Sequence, residues 1–294
     1  MTKRHGITIL EVLVAVALCI AVVGLAIMLL ARHRENAQQV QCRNNLRMIG
    51  KAFHEYHAAS AANEGARFLP PSRMADGYAT WAVLLAPYLL KEHPLQEWDP
   101  QRSYFAQKQP AREARLFLYF CPSRHRADTL SQAGDIDAAD KHFPGGLGDY
   151  ACVAGDGSDG HDWIGPQANG ALVMAEVIER SDDRILKWKS RTGLNSLSRG
   201  TAYTLLVGEK HVPADHMGDA AFGDGSLYNG QHPASFSRVA GPGYPLVNDI
   251  NAPLPKNFGS YHIGICNFLM ADGSFRAMSV NTSETVLGQL AQRD

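Results

Sequence analysis

The sequence has little excess charge and lacks several patterns that mark common classes of protein. Its 28 lysine and arginine residues nearly balance its 29 aspartate and glutamate residues, so nothing predicts binding to nucleic acid. The sequence has no C-x-x-C pair, which removes the usual signal for a zinc ribbon. It has no G-x-S-x-G, the signal for one common hydrolase nucleophile, and no internal repeat or low-complexity tract. These absences leave a chain of 294 residues without an evident catalytic signature.

A long apolar run near the N-terminus is the strongest positive feature. It follows Lys3 and Arg4, extends from Ile7 to Leu30, and contains one acidic residue, Glu11. The run is long enough to cross a bilayer as a helix. A secretory signal peptide would have a shorter apolar core and a small-residue cleavage site, and no A-x-A-like triplet follows here. A plain anchor explains the length but not Glu11, because a carboxylate close to hydrocarbon is costly.

The chain continues beyond the apolar run without a turn signal. No proline occurs between residues 31 and 62, and Pro70-Pro71 marks the loop beyond. Apolar or aromatic residues recur at spacings of three or four, at Leu46, Ile49, Phe53 and Tyr56. This stripe is typical of an amphipathic helix. The sequence therefore predicts one helix from about Ile7 to about Ala62.

The remainder predicts short elements between glycine, proline and aspartate residues. A helix is predicted at residues 81–90, and strands are predicted at residues 171–174, 203–207, 267–271 and 275–278. Asp272-Gly273 between the last two strands is a strong hairpin signal. Loops are predicted at residues 145–165 and 218–255. The sequence thus favours an α+β fold in which an antiparallel sheet packs on the long helix.

Five cysteines are present. Cys19 lies in the apolar run and is predicted to be a small buried residue. The other four are Cys42, Cys121, Cys152 and Cys266. Outside an inner membrane these four could form two disulfides, with three alternative connectivities.

Polar clusters offer candidate sites, each with a simpler structural explanation. Asp156, Asp159 and Asp162 lie in one loop, where calcium binding is the alternative to a solvated acidic loop. A second cluster could hold zinc but is expected to be an exposed loop; its residues are His211, Asp215, His216 and Asp219.

A catalytic or metal role for His262 and Asp272 is weighed against a structural one, in which Asp272 starts a turn and His262 donates to a backbone carbonyl. The structural role is preferred, so neither a catalytic residue nor a metal ligand is assigned. No cofactor is expected, and calcium is the one alternative kept open.

The N-terminus resembles that of type IV prepilins and type II secretion pseudopilins. In their cleavage and methylation motif, a leader ends in glycine and glutamate is the fifth residue of the mature chain. Gly6 matches that glycine, and Glu11 is fifth when Ile7 is counted as the first mature residue. The first mature residue is usually Phe, so Ile7 departs from the pattern. The resemblance implies that a prepilin peptidase cleaves after Gly6, and that Glu11 pairs with the N-terminal amine of a neighbouring subunit.

Further motifs resemble a prepilin-like family of unknown function that is abundant in planctomycetes. Residues 42–50 with His54 and His57 match its C-x-N-N-L-K-Q-I-G…H-x-Y-H motif, which includes Cys42, Asn44 and Asn45. Its H-X9-DG motif near the C-terminus is matched by His262, Asp272 and Gly273. Residues 69–72, 121–123 and 201–209 match in order between them. The resemblance therefore extends over most of the chain.

The resemblance implies four segments: a leader at residues 1–6, a transmembrane segment at 7–30, an amphipathic continuation at 31–62 and an extracytoplasmic α+β domain at 63–294. The N-terminus would be cytoplasmic, and the single-pass anchor would lie in the inner membrane. The expected partners are prepilin peptidase, membrane lipid, and other copies or pilin-like subunits in a pilus-like or secretion-related filament.

Two other functions remain open. One is an anchored protein that binds a polysaccharide, a peptide or an envelope component through the aromatics Trp98, Trp163, Trp188 and Tyr244. The other is an anchored hydrolase that uses the histidine and aspartate clusters. An enzyme is not the preferred interpretation.

The family pattern also suggests how the cysteines pair. Cys42 and Cys121 occupy family positions, whereas Cys152 and Cys266 do not. The resemblance therefore implies a Cys152–Cys266 bridge and a Cys42–Cys121 bridge.

Overall fold

The structure is a computed structural model that describes residues 8–64, 67–124, 129–158 and 162–294. Within these ranges the helices are α1 (Ile9–Glu64), α2 (Trp81–Leu89), α3 (Gln109–Arg112), α4 (Pro233–Phe236) and α5 (Glu284–Ala291). The strands are β1 (Tyr150–Gly155), β2 (Glu176–Ser181), β3 (Arg184–Lys189), β4 (Leu205–Glu209), β5 (Ser237–Val239), β6 (Ile265–Met270) and β7 (Phe275–Ser279). Short 3₁₀ turns connect them, including Phe117–Tyr119 and Pro122–Arg124.

Helix α1 confirms the predicted long N-terminal helix. It has 56 residues and is therefore about 84 Å long at 1.5 Å per residue. Near its N-terminus an 18-residue window has a mean hydropathy of 3.1, and none of that window is buried within the protein. In the second half, by contrast, Leu46, Ile49 and Phe53 are fully buried. The apolar first half thus leaves the domain and could span a membrane, while the second half docks on the domain.

The main sheet has the strand order β5-β1-β4-β6-β7. Neighbouring strands run antiparallel except β1 and β5, which are parallel. The sheet is therefore mixed, whereas a purely antiparallel sheet was predicted. Alternate residues of a strand point to opposite faces. On β6, Leu269 packs in the core that contains α1 and α2, whereas Phe268 and Met270 pack in a second core with α5. The sheet therefore lies between α1 and α5.

Close contact between α1 and β6 depends on Gly50. A Cβ atom placed on Gly50 would lie 2.7 Å from Cδ1 of Leu269. Since real Cβ atoms do not approach other carbons so closely, any larger residue would force Leu269 or the helix to move. Glycine lets the second half of α1 lie directly on the sheet.

Several predicted elements need correction. Strand β1 lies inside the segment 145–165 that was expected to be a loop, and all of its residues are buried. Because both of its faces are covered, β1 lacks the alternation of apolar and polar residues that signals a strand. Residues 171–174 are not a strand, although Val173 accepts a hydrogen bond from the Ser72 amide. The separate β2–β3 hairpin and the three-residue β5 were also missed.

The hairpin predicted around Asp272-Gly273 is confirmed. Strands β6 and β7 pair antiparallel, and Gly273 adopts a φ of +82° that favours glycine. The Asp272 carboxylate accepts a hydrogen bond of 2.8 Å from the Ser274 amide. Local turn chemistry was therefore sufficient to find these two strands.

Candidate functional site

The N-terminus of α1 is closed by a reciprocal pair of hydrogen bonds. The Glu11 amide donates to Oγ1 of Thr8 at 3.3 Å, and the Thr8 amide donates to Oε2 of Glu11 at 2.8 Å. This is the capping-box arrangement, in which a threonine and a glutamate three residues later satisfy backbone amides of the first turn. Glu11 therefore has a local structural role besides any role in assembly. Gly6 and Ile7, the proposed cleavage residues, lie outside the described residues.

A second feature lies where α1 enters the domain, and we call it the Cys–His–Glu cluster. Its four side chains come from α1, from the turn after Phe117–Tyr119, from the end of β4 and from the segment before β6. All are buried, and one ligand-type atom of each lies within 4.8 Å of the others; they are Cys42, Cys121, Glu209 and His262. Among the described residues this is the one such group.

The His262 ring is the centre of the cluster. Its Nε2 atom lies 3.6 Å from Sγ of Cys121 and 3.3 Å from Oε1 of Glu209. Its Nδ1 atom lies 2.6 Å from Oε1 of Glu35 on α1. The Sγ atom of Cys121 also lies 2.9 Å from the Sγ atom of Cys42. His262 thus contacts carboxylates and a thiol, and not the backbone carbonyl that was expected.

The electrostatics of the cluster favour a charged imidazole. Burial alone would lower the pKa of His262, but its contacts with Cys121 and with the Glu209 carboxylate outweigh burial and raise the pKa to about 11. Burial alone would raise the pKa of Glu209, but His262 and the Asn267 amide lower it. At neutral pH these shifts favour an imidazolium beside the Glu209 carboxylate.

The turn that carries Cys121 is held from two sides. On one side, the buried side-chain amide of Asn45 donates to the Phe120 carbonyl at 2.9 Å. On the other, the Cys121 amide donates to Oδ2 of Asp149 at 2.7 Å. Asp149 also forms a fully buried ion pair of 2.8 Å with Arg124. These contacts fix the turn against α1 and β1.

Comparison with known proteins gives a family but no characterised relative. Residues 31–285 match a family described as a protein of unknown function, DUF1559, also designated SBP_bac_10. The chain belongs to the DUF1559 family. No curated protein and no solved structure matches it.

The structure explains several motif residues of this DUF1559 protein. Cys42 and Asn45 face the turn at 120–124, whereas Asn44 is exposed. The H-X9-DG motif spans β6, with buried His262 before the strand and exposed Asp272 in the turn after it. The motif therefore joins the cluster to the hairpin, and its histidine and aspartate do not form one site.

The cysteines do not pair as predicted. All five are free thiols in the structure. Cys152 on β1 and Cys266 on β6 are separated by β4 and belong to cores on opposite faces of the sheet, so the predicted bridge between them is wrong. Cys42 and Cys121 are neighbours, as the predicted Cys42–Cys121 bridge requires. Their sulfurs are 2.9 Å apart and unbonded. Cys19 is exposed on the apolar half of α1 and is not buried within this chain.

The acidic loop at 156–162 serves partly as a structural connection. Oδ1 of Asp156 accepts hydrogen bonds from Ser158 and Asn169, and Oδ2 accepts one of 2.6 Å from Gln292. Asp162 is exposed, and its Oδ1 accepts from the Ile164 amide. Asp159, the remaining calcium candidate, lies outside the described residues. Asp156 thus ties the end of β1 to the C-terminal segment.

The other predicted cluster separates into local interactions. The His211 ring is buried and its Nε2 atom lies 2.7 Å from the Ala252 carbonyl. His216 stacks on Phe222 at a ring distance of 3.5 Å, and Asp219 caps the following turn.

Sequence reasoning missed two residues of the Cys–His–Glu cluster and its surroundings, Glu35 and Glu209. Two signals could have found them: Glu209 ends the matched segment 201–209, and Glu35 lies two turns before Cys42 on the same face of a predicted helix.

Replacing Asn45 with alanine should lower the free energy of unfolding by about 1–3 kcal/mol, because the buried Phe120 carbonyl loses its donor. Replacing the exposed neighbour Asn44 with alanine should change it by less than about 0.5 kcal/mol. Chemical denaturation of the full chain in detergent measures both values. Equal effects of the two substitutions would contradict the assigned role of Asn45.

Proposed function

We propose that this DUF1559 protein is a membrane-anchored, pilin-like structural subunit. Its α1 helix would cross the cytoplasmic membrane with the N-terminus inside, and the domain would lie on the extracytoplasmic side. Subunits would associate through the apolar half of α1 into a pilus-like or type II secretion-related filament. The proposal assigns no catalytic step to the protein.

One observation carries the proposal. Glu11 is the one charged residue among the described residues 8–30 of the apolar segment. The most apolar 18-residue window of α1 is not buried within the protein. Glu11, Ala15 and Cys19 are each four residues apart, so they share one face of the helix, and they line one shallow groove. A neighbouring helix could cover this face, and an amine at its N-terminus could neutralise the Glu11 carboxylate in a low dielectric.

The leader should be removed in cells that contain a prepilin peptidase. Mass spectrometry of the membrane-purified protein should find Ile7 at the N-terminus, with or without methylation. Gly6→Val should block cleavage, because the peptidase must accommodate the residue before the scissile bond and glycine has no side chain. An intact Met1 terminus in the presence of the active peptidase would contradict the processing step.

Glu11 variants separate assembly from helix capping. Glu11→Gln keeps a residue that can complete the capping box but removes the charge, whereas Thr8→Val removes the cap and keeps the charge. We expect Glu11→Gln and Glu11→Val to reduce self-association by about tenfold, the effect of losing one modest interaction on an equilibrium constant. Thr8→Val should reduce it much less. Membrane insertion should persist in all three variants.

Cys19 supplies the probe for this experiment. It is exposed on the same helix face as Glu11, while the other four cysteines are buried. A membrane-permeant bismaleimide should therefore crosslink subunits through Cys19, and Cys19→Ser should abolish the product. Undiminished crosslinking of the Glu11 variants would refute the assembly role of Glu11. If the wild-type chain gives no crosslink in membranes, the filament proposal fails.

An anchored binding protein is the second candidate, and one groove favours it. The groove lies between the end of α1, helix α2 and strand β3, and Tyr56, Tyr88 and Trp188 line it. Trp98, another aromatic proposed for binding, is largely buried in the core, with 7% of its surface exposed. A solitary binding protein would lose ligand on Trp188→Ala and would give no Cys19 crosslink.

A further inference from the structure

We propose that the Cys–His–Glu cluster binds one zinc ion, and that this ion fastens α1 to the globular domain. The inference is independent of filament assembly. It rests on the convergence of two thiols, an imidazole nitrogen and a carboxylate oxygen in a buried space. Zinc is the divalent ion that this mixture of sulfur, nitrogen and oxygen ligands suits best, and closed sites with four protein ligands are typical of structural zinc.

Two distances in the cluster, both to Nε2 of His262, are close to those of a tetrahedral site. Zinc bonds of 2.0–2.3 Å place nitrogen and oxygen ligands about 3.4 Å apart and sulfur and nitrogen ligands about 3.6 Å apart. The observed separations are 3.3 Å from Nε2 of His262 to Oε1 of Glu209, and 3.6 Å from the same nitrogen to Sγ of Cys121. The two sulfurs, at 2.9 Å, would have to separate to about 3.8 Å. The proposal therefore requires one of the two cysteine side chains to rotate when the ion binds.

The surroundings of the two non-sulfur ligands are those of a metal site. Histidines that bind metals usually donate their other ring N–H to a carboxylate, which orients the ring. Glu35 provides this contact to Nδ1 of His262 at 2.6 Å. Oε2 of Glu209 accepts from the Asn267 amide at 2.8 Å, whereas the buried Oε1 atom accepts no hydrogen bond of good geometry among the described residues. Oε1 is therefore the oxygen left to bind an ion.

A disulfide between Cys42 and Cys121 is the competing state, because it would consume both thiols. It accounts for only two of the four converging groups, and it leaves Oε1 of Glu209 with its contact of 3.3 Å to the His262 ring. The sulfur separation of 2.9 Å is also well beyond the ~2.05 Å of a disulfide bond. A metal ion accounts for all four groups and for the orientation of the ring by Glu35.

The first experiment measures metal content. The full chain is purified in detergent without chelator or reductant, and zinc is determined by inductively coupled plasma mass spectrometry. We expect one zinc per chain in the wild type, almost none in Cys42→Ser and Cys121→Ser, and an unchanged value in Cys152→Ser. Cys152 is the matched control because it is a buried cysteine outside the cluster.

The second experiment keeps the test valid if the cysteine variants fold poorly. Cobalt(II) is titrated into the metal-free, reduced full chain, and thiolate-to-cobalt charge-transfer and tetrahedral d–d absorption bands are recorded. Glu35→Gln should weaken cobalt affinity about 10–100-fold, since Glu35 orients the His262 ring from a partly exposed position. Glu55→Gln, an exposed control on the same helix, should leave the affinity unchanged.

Two results would overturn the proposal. One is a wild-type chain that contains no zinc and carries a Cys42–Cys121 disulfide in peptide maps. Another is zinc that stays undiminished in both cysteine variants. Equal cobalt affinities of the wild type and Glu35→Gln would remove the positioning role of Glu35.

Discussion

Replacing Lys210 with methionine should lower the free energy of unfolding by about 3–5 kcal/mol, the usual cost of removing one partner of a buried ion pair. Nζ of Lys210 lies 3.1 Å from Oδ1 of Asp224, and both side chains are fully buried. The ammonium also donates to the carbonyls of Gly223 and Ser235. Methionine has a similar shape but carries no charge, so the buried Asp224 carboxylate would lose its contact with the Lys210 ammonium.

A double variant identifies the cause of that loss. Asp224→Asn keeps an oxygen that can accept from the Gly218 amide but removes the negative charge. Lys210→Met combined with Asp224→Asn should therefore recover a large part of the stability lost in Lys210→Met alone. Chemical denaturation of the wild type, both single variants and the double variant gives the coupling energy. A loss below about 1 kcal/mol in Lys210→Met would show that the ion pair contributes little.

Phe53→Ala should have a comparably large effect, about 3–5 kcal/mol, because it opens a cavity where α1 docks on the domain. Phe53 is fully buried and stacks on Trp81 of α2, with ring centroids 6.0 Å apart. Trp81 in turn packs edge-on against Tyr119 and donates its indole N–H to the Phe236 carbonyl at 2.9 Å. The rings of α1, α2 and the following turn thus support one another, and little collapse around the cavity is expected.

Phe117→Ala is the matched control for Phe53→Ala, because it removes the same side chain from a position that is 72% exposed. Its effect should stay within about 0.5 kcal/mol. Both variants are compared by denaturation of the full chain in detergent. If they cost the same, α1 does not depend on the aromatic contacts for its attachment.

Local patterns were sufficient for the features that depend on nearby residues. The apolar run and the stripe from Leu46 to Tyr56 predicted α1, since helical periodicity is visible within a short window. Asp272-Gly273 predicted the β6–β7 hairpin for the same reason, because the turn depends on the backbone freedom of its own residues. The family motifs also predicted membership of a family of unknown function, and the DUF1559 family, of unknown function, matches residues 31–285. The pilin-type motif at the N-terminus stays a prediction.

Strands without a local pattern could not be found in this way. β1 is covered on both faces, so its residues do not alternate between apolar and polar, and flanking glycine and aspartate residues favoured a loop. Its parallel pairing with β5 joins segments that are far apart along the chain. No short window of sequence contains that information.

By itself, the sequence determined the long helix, its apolar half, the single charge at Glu11 and the α+β class, because each depends on the identity and spacing of residues close together in the chain. Only the tertiary structure decided which cysteines are neighbours and which carboxylates face His262. Cys42 and Cys121 meet because α1 docks beside the turn at 120–124, and Glu209 reaches them because β4 ends there. These contacts depend on how distant elements pack against a shared core, and packing assembled the cluster from four segments that show no common spacing.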